Sequence, residues 1–179
     1  SMKFDVIYAD PPWRYNFSKK TVDSIEAHYP TMAIEDIASL VIPSASNSAL
    51  FLWTTAPKLP EAMYVMQQWG FLYKTNIVWD KRVIGLGYWS RVQHEHLLIG
   101  TKGKFSPPAY EFRESSVYEE KKRKHSRKPD HIREWIDRAY PLQSKLELFG
   151  REEHPGWVTI GNAIDGEDIS VALSKLMVE

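Results

Sequence analysis

Residues 8–17 read YADPPWRYNF, an apolar strand that runs into an aspartate, two prolines and a cluster of aromatic rings. Neither proline can donate a ladder hydrogen bond, so strand pairing ends there. Proline also drives the residue before it into an extended conformation, so Asp10 cannot open a helix. These constraints predict a stiff corner whose carbonyl oxygens point with the Asp10 carboxylate and face few backbone donors. A rigid set of acceptors beside Trp13 and Tyr15 suits a flat molecule with an amino group on its edge, which is a description of a nucleobase. Asp-Pro-Pro is equally the composition of a turn that merely ends a strand, and the four residues alone do not separate the two readings.

The elements around the corner must hold it in place. Lys3 to Ala9 (KFDVIYA) reads as a buried strand, and Ile34, Ile37, Ala38 and Val41 recur at helical spacing. LFLW at 50–53 has the continuous apolar character of a central parallel strand. Pro60 fits a helix start and Gly70 a stop, with Ala62, Met63, Met66 and Trp69 on one face. Two strand-like runs, LYKTNIVWDK from Leu72 and HEHLLIG from His94, enclose a glycine-containing aromatic loop. Pro129 opens a further helix, with Ile132, Trp135, Ile136 and Ala139 inward and Pro141 past its end. KLELF and WVTIG add two strands, and Ile169, Leu173 and Leu176 a last helix. The most polar stretch, Gly100 to Lys128, reads as loop. Strands alternating with helices predict an α/β domain with a mostly parallel sheet. Sites on such sheets lie at the carboxyl ends of strands, where Asp10 sits.

The chain has 179 residues, a length for a single domain spanning 1–179, and Ser1-Met2 resembles a cleavage scar before a native start. At 43 % hydrophobic and 13 % aromatic, its composition excludes a disordered chain. Zero cysteines exclude disulfides and thiolate metal sites and fit a reducing cytoplasm. No apolar run reaches membrane-spanning length. Lysine and arginine (23) balance aspartate and glutamate (23), so attraction to a polyanion must come from a local patch. The run KKRKHSRK at 121–128 is that patch, and Lys121, Lys122, Arg123 and Lys124 are candidate phosphate contacts. His94 and His96 share one strand face at a spacing that could hold a metal, but no third ligand is evident and no metal site is expected. Trp53, Trp69, Trp135 and Trp157 fall in strand or helix patterns and read as core. Trp89, in the loop GLGYWSR, reads instead as a stacking or wedging side chain for a flipped base.

YADPPW, HYPTM (28–32), LFLW, EHLLIGTKG (95–103), HSRKPD (125–130), ELFGR (147–151) and PGWVTIGN (155–162) follow one another in that order. From Lys3 to about Asp165 this pattern resembles the DPPW-type (MT-A-like) adenine-N6 methyltransferases, the family of the messenger-RNA N6-methyladenosine writer's catalytic subunit. The resemblance implies a Rossmann-like methyltransferase fold with helices on both faces of the sheet. Its motif order is permuted, the catalytic strand first and the cofactor strand late. It implies S-adenosylmethionine as cofactor, which no GxGxxG announces here. Asp10 and the Pro11 carbonyl are then expected to accept the two amine protons of adenine, with Pro12 holding the corner and Trp13 and Tyr29 stacking on the base. By the same resemblance Lys128 meets the methionine carboxylate, Arg151 reaches that carboxylate or the ribose, and Asn162 binds the ribose hydroxyls. Asp10 also receives the methionine ammonium. Glu95 and His96 are placed at the acceptor pocket, with Glu95 touching the nucleoside or steadying Lys128. Ala163 departs from the family, whose members usually carry Gln or Glu there, and removes one ribose contact.

The tryptophan of DPPW, together with HYPTM, favours adenine over cytosine N4. The compact pattern resembles bacterial and phage members and favours DNA over RNA as the nucleic-acid partner, in the cytoplasm of a bacterial or phage-infected cell. An RNA adenine methyltransferase and a non-catalytic nucleic-acid-binding subunit are the alternatives. The presence of Asp10, Lys128, Arg151 and Asn162 argues against the inert subunit. Target choice is expected from the loops Arg14–Tyr29, Arg82–Arg91 and Gly103–Arg127, or from a second subunit in a homodimer or heteromer.

Overall fold

β1 (Phe4–Ala9) is buried on both faces, Val6 and Tyr8 toward one apolar layer and Ile7 and Ala9 toward the other. That two-sided burial places β1 inside the sheet. The computed structural model describes residues 2–15, 31–161, 164 and 166–178. After β1 come α1 (Ile34–Ala38), β2 (Ser44–Thr55), α2 (Leu59–Gln68), β3 (Leu72–Asp80) and β4 (His94–Lys102). The second half holds β5 (Val117–Glu119), α3 (Asp130–Ala139), β6 (Lys145–Leu148), β7 (Val158–Ile160) and α4 (Ile169–Met177).

The seven strands form one sheet in the order β5-β3-β4-β2-β1-β6-β7. The pairs β1–β2, β1–β6, β6–β7 and β3–β5 are parallel, whereas β4 runs antiparallel to both β2 and β3. The sheet is therefore mostly parallel, with one reversed strand. The reversal follows from connectivity: β3 returns directly into β4 without a crossover helix, and such a return can only be antiparallel. From β1 the chain passes to β2 on one side and later to β6 on the other. The point of reversal is the usual place for a ligand crevice in an open α/β sheet.

Helices cover both faces. Ile37 of α1, Ala62, Val65 and Met66 of α2 and Ile169 and Leu173 of α4 pack on Ile7, Leu50, Leu52, Leu98 and Leu146. Ile132, Trp135 and Ile136 of α3 pack on Val6, Phe51, Trp53 and Leu97 on the opposite face. Trp53, Trp69, Trp135 and Trp157 are buried as expected, and Trp13 and Trp79 join them. Each of these six indole N–H groups donates to an oxygen, for example Trp69 to the Ile37 carbonyl at 2.9 Å and Trp157 to Asp137 at 3.0 Å. A buried indole with its donor satisfied keeps the full benefit of its apolar area.

Four local expectations change. Val41 lies beyond α1 and is exposed, because the β-branched pair before Pro43 takes the chain into extended backbone. Val65 rather than Met63 completes the inward row 62-65-66-69 of α2, the spacing of one helical face. β2 begins at Ser44, where it pairs with Phe4 of β1 before β4 joins it at Ser48. β5 forms inside the stretch read as loop, too short for its alternation to show in sequence. Among the described residues no helix is long and apolar enough to cross a membrane.

Candidate active site

β1 ends at Ala9, in register with Leu52 of β2 and Leu148 of β6. The Asp10 N–H still reaches the Leu148 carbonyl at 3.4 Å, and then the prolines turn the chain away. The corner is better satisfied than expected. The Trp13 N–H donates to the Pro11 carbonyl at 2.9 Å, and the Met32 N–H to the Pro12 carbonyl at 3.0 Å. The reason is general: a backbone carbonyl kept from water must find a donor. Since a carbonyl carries two lone pairs, Pro11 retains capacity for one further hydrogen bond. Trp13 also differs from its expected stacking role. Its side chain is buried, with 6 % of the residue exposed, and its indole donates to the Trp53 carbonyl at 3.1 Å. It pins the corner to β2 instead of presenting a ring face to a base. Tyr15 adds a second tie, its hydroxyl 2.6 Å from Thr55 Oγ1.

Around Asp10 the fold gathers four charges. Lys128 Nζ lies 3.1 Å from Asp10 Oδ2 and 3.4 Å from Glu95 Oε1, and Lys81 Nζ lies 3.3 Å from Glu95 Oε2. Two carboxylates and two ammonium groups balance, which makes their shared burial tolerable. The Lys128 ammonium also sits 5.8 Å above the Trp53 ring. Burial alone works against the Lys128 charge, but Asp10 and Glu95 outweigh it and hold its pKa above that of an ordinary lysine. Burial pushes the Asp10 carboxyl up from the ordinary carboxylate range, and Lys128 pulls against that rise. The Asp10 side chain keeps 34 % of its surface open, enough for a ligand to reach it.

Glu95 arrives because β4 is reversed: its amino end meets the carboxyl ends of the neighbouring strands, with Glu95 opposite Thr55 and Trp79. His96 does not join it. Strand alternation sends the two side chains to opposite faces. His96 lies 3.3 Å from Asn76 Oδ1, with its ring edge-to-face on His94 at 4.9 Å. Burial, with His94 adding, lowers the pKa of His96. Glu95 therefore joins Lys128 beside Asp10, and His96 faces away from that cluster.

A cleft opens beside the corner, between α3 and the ends of β1 and β6, and Asp10, Lys128 and Arg151 all line it. Sequence reasoning missed two further lining residues, Arg133 and Glu147. Arg133 grips Glu147 with two nitrogens, Nη2 at 2.8 and 2.9 Å and Nε at 3.1 Å, and lies 5.7 Å over the Tyr8 ring. Burial pushes the Glu147 carboxyl up while Arg133 opposes it. A glutamate within the otherwise buried strand KLEL was the available signal. Its partner, fourteen residues away on a helix, had none. The exposed Arg151 donates to the His125 carbonyl. Phe149 and His125, both on the cleft, have φ near +62°, a strained backbone for non-glycine residues and one that concentrates at functional sites. At Gly150 a Cβ would collide with Thr159, so the β6 end lies directly on β7.

The basic run divides. Lys121, Lys122 and Lys124 are exposed. Arg123, also exposed, is tied to Asp130 at 3.2 Å and to the Lys128 carbonyl at 2.9 Å, and its hydrogen bond holds the Asp130 carboxyl below the usual range. Arg127 pairs with Glu152 at 2.6 Å. Tyr29, Asn162 and Ala163 lie outside the described residues. The donor set present, a carboxylate and an ammonium 3.1 Å apart with a guanidinium on the same cleft, fits an amino-acid zwitterion.

The sheet's switch point, the acidic corner and the cleft beside it together make a ligand site of the α/β class. The MT-A70 family description matches residues 4–163, and the chain belongs to that family, the adenine-N6 methyltransferases. It is 32 % identical over 189 aligned positions to the type II methyltransferase M.MunI of Mycoplasma sp, covering 94 % of this chain and 81 % of that protein. It is 33 % identical over 176 positions to the N(6)-adenosine-methyltransferase catalytic subunit METTL3 of Homo sapiens, covering 92 % of this chain but 29 % of that one. For the N(6)-adenosine-methyltransferase MT-A70-like protein of Arabidopsis thaliana the figures are 33 % over 174 positions, with 91 % and 24 % covered. The chain thus spans less than a third of these eukaryotic relatives.

Proposed function

We propose that this enzyme transfers a methyl group from S-adenosylmethionine to the N6 amine of adenine in nucleic acid, with DNA the favoured acceptor. The observation that carries the reading is the Asp10–Lys128 pair at 3.1 Å beside a Pro11 carbonyl with an acceptor site to spare. The amine of adenine is a poor nucleophile because its lone pair is delocalised into the ring. Asp10 and the Pro11 carbonyl accept its two N–H groups, which localises the lone pair and aims it. Asp10 then takes the proton that the methylated amine must lose. The cofactor, when bound, supplies a methyl group on a sulfonium that departs as a neutral thioether. Lys128 and Arg151 would hold its carboxylate, a second Asp10 oxygen its ammonium, and Asn162 its ribose. Glu95 keeps Lys128 charged and in place. Zero cysteines fit work in a reducing cytoplasm.

The match to most of the length of a type II methyltransferase supports DNA. An RNA acceptor is the second reading, supported by the N(6)-adenosine-methyltransferases among the relatives. Mass spectrometry of nucleosides decides between them after incubation with S-adenosylmethionine and matched single-stranded DNA, duplex DNA or RNA. N6-methyladenine in one pool, lost with a folded Asp10→Ala protein, is the expected result. Cofactor binding without methylation of any pool would overturn the proposal for the chain alone.

A further inference from the structure

Residues 81–93, between β3 and β4, have no part in the chemistry above beyond Lys81 at their root. They form a built finger. The Lys81 N–H donates to the Gln93 carbonyl at 2.9 Å and the Gly85 N–H to the Val92 carbonyl at 2.9 Å, so the two limbs run together. A Cβ at Gly85 would come within 2.8 Å of the Val92 carbonyl, and one at Gly87 would collide with that of Ser90. Glycine therefore lets the limbs close and leaves Leu86, Tyr88 and Trp89 at the tip. Their exposures are 97 %, 101 % and 102 %, whereas the other six tryptophans are buried. Three large side chains exposed together on a hydrogen-bonded loop mark a contact surface.

The charge along the finger and at its root selects the occupant. From Lys81 to Gln93 there are three cations and no carboxylate, and residues 121–128 add six lysines and arginines, again with no carboxylate. The two segments meet at the finger's root, where the Lys122 N–H donates to the Lys81 carbonyl at 3.1 Å. Facing carboxylates offset only part of this. Glu119 lies 3.9 Å from Arg82, Glu95 holds Lys81, the Asp80 carboxylate accepts the Arg82 N–H, and Asp130 and Glu152 hold Arg123 and Arg127. Arg91, Lys121, Lys122 and Lys124 are exposed. Aromatic rings set among cations are the surface that unstacked bases and their phosphates take. The finger's roots, Lys81 and the residue before Glu95, adjoin the charge cluster that holds Asp10.

We propose that Tyr88 and Trp89 stack on unpaired bases of the acceptor strand beside the target adenine, while Arg82 and Arg91 take its phosphates. This rests on the methyltransferase reading. The test uses the full chain, a fluorescein-labelled adenine-containing single-stranded DNA, its RNA counterpart and the duplex. Affinity is followed by anisotropy, association state by sedimentation and S-adenosylmethionine affinity by calorimetry. We expect single-strand affinity about tenfold weaker for each ring removed in Tyr88→Ala and Trp89→Ala, and largely kept in Trp89→Phe. Tryptophan quenching by the unlabelled strand should disappear in Trp89→Phe, with cofactor affinity unchanged throughout. Variants that bind and methylate like the parent overturn the finger while leaving the enzyme reading intact. A parent that binds none of the three strands and methylates none of them overturns both. Loss of a dimer in Trp89→Ala, with affinity per chain unchanged, makes the tip a self-association surface and overturns the proposal.

Discussion

Asp10 is the residue on which the chemistry turns, and its neighbours set its behaviour. Removing one preorganised electrostatic contact in a transition state lowers the rate by about a hundred- to a thousandfold. Asp10→Asn should show a loss of that order in single-turnover methylation, while circular dichroism still reports the native fold. The carboxylate must be ionised to accept N–H groups, so the rate should fall as pH drops through its pKa, which burial has raised. Lys128 pulls that pKa down. In Lys128→Ala the acid limb of the saturated rate should therefore move to higher pH; a limb that stays or moves lower would contradict the assigned coupling. Trp13→Phe removes the N–H that bonds the Trp53 carbonyl and should destabilise the fold by about 1 kcal/mol in chemical denaturation.

At the level of elements, the site is a meeting of strand ends and one helix start. β1 delivers Asp10, the reversed β4 delivers Glu95, β6 leads into Phe149 and Arg151, and the chain entering α3 carries Lys128. The β6 end tolerates little change, because a Cβ at Gly150 would collide with Thr159 on β7. Gly150→Ala should destabilise the protein by about 1–3 kcal/mol, the usual range for overpacking. It should also weaken cofactor binding, since Arg151 is the next residue. Calorimetric titration with S-adenosylmethionine alongside thermal melting checks both outcomes.

For the molecule as a whole, α3 both seals one face of the sheet and carries the cleft wall. Ile136, fully buried against that face, should lose about 2–5 kcal/mol as Ile136→Ala, with cofactor affinity falling only where the fold does. The net charge of zero means that any salt dependence of nucleic-acid binding arises locally. Reversing Lys121, Lys122 and Lys124 to Glu should flatten the plot of log affinity against log salt by about 0.9 for each duplex phosphate no longer neutralised. An unchanged slope would show that the run is only solvated.

How much of this was legible beforehand divides along physical lines. Local constraint determined the DPPW corner, the alternation of strands and helices and the inward faces of α3 and α4, because proline geometry and apolar period act within a few residues. The ordered motifs, spread from Lys3 to about Asp165, determined the family. Strand alternation alone already separates His96 from Glu95. Three things needed the tertiary structure: Trp13 in the core, Arg133 on Glu147, and Lys81 completing the charge balance. Each depends on which elements lie side by side and in which direction they run. The reversal of β4 brings Glu95 to Asp10 across eighty-five residues of chain, and no local pattern encodes a meeting at that separation.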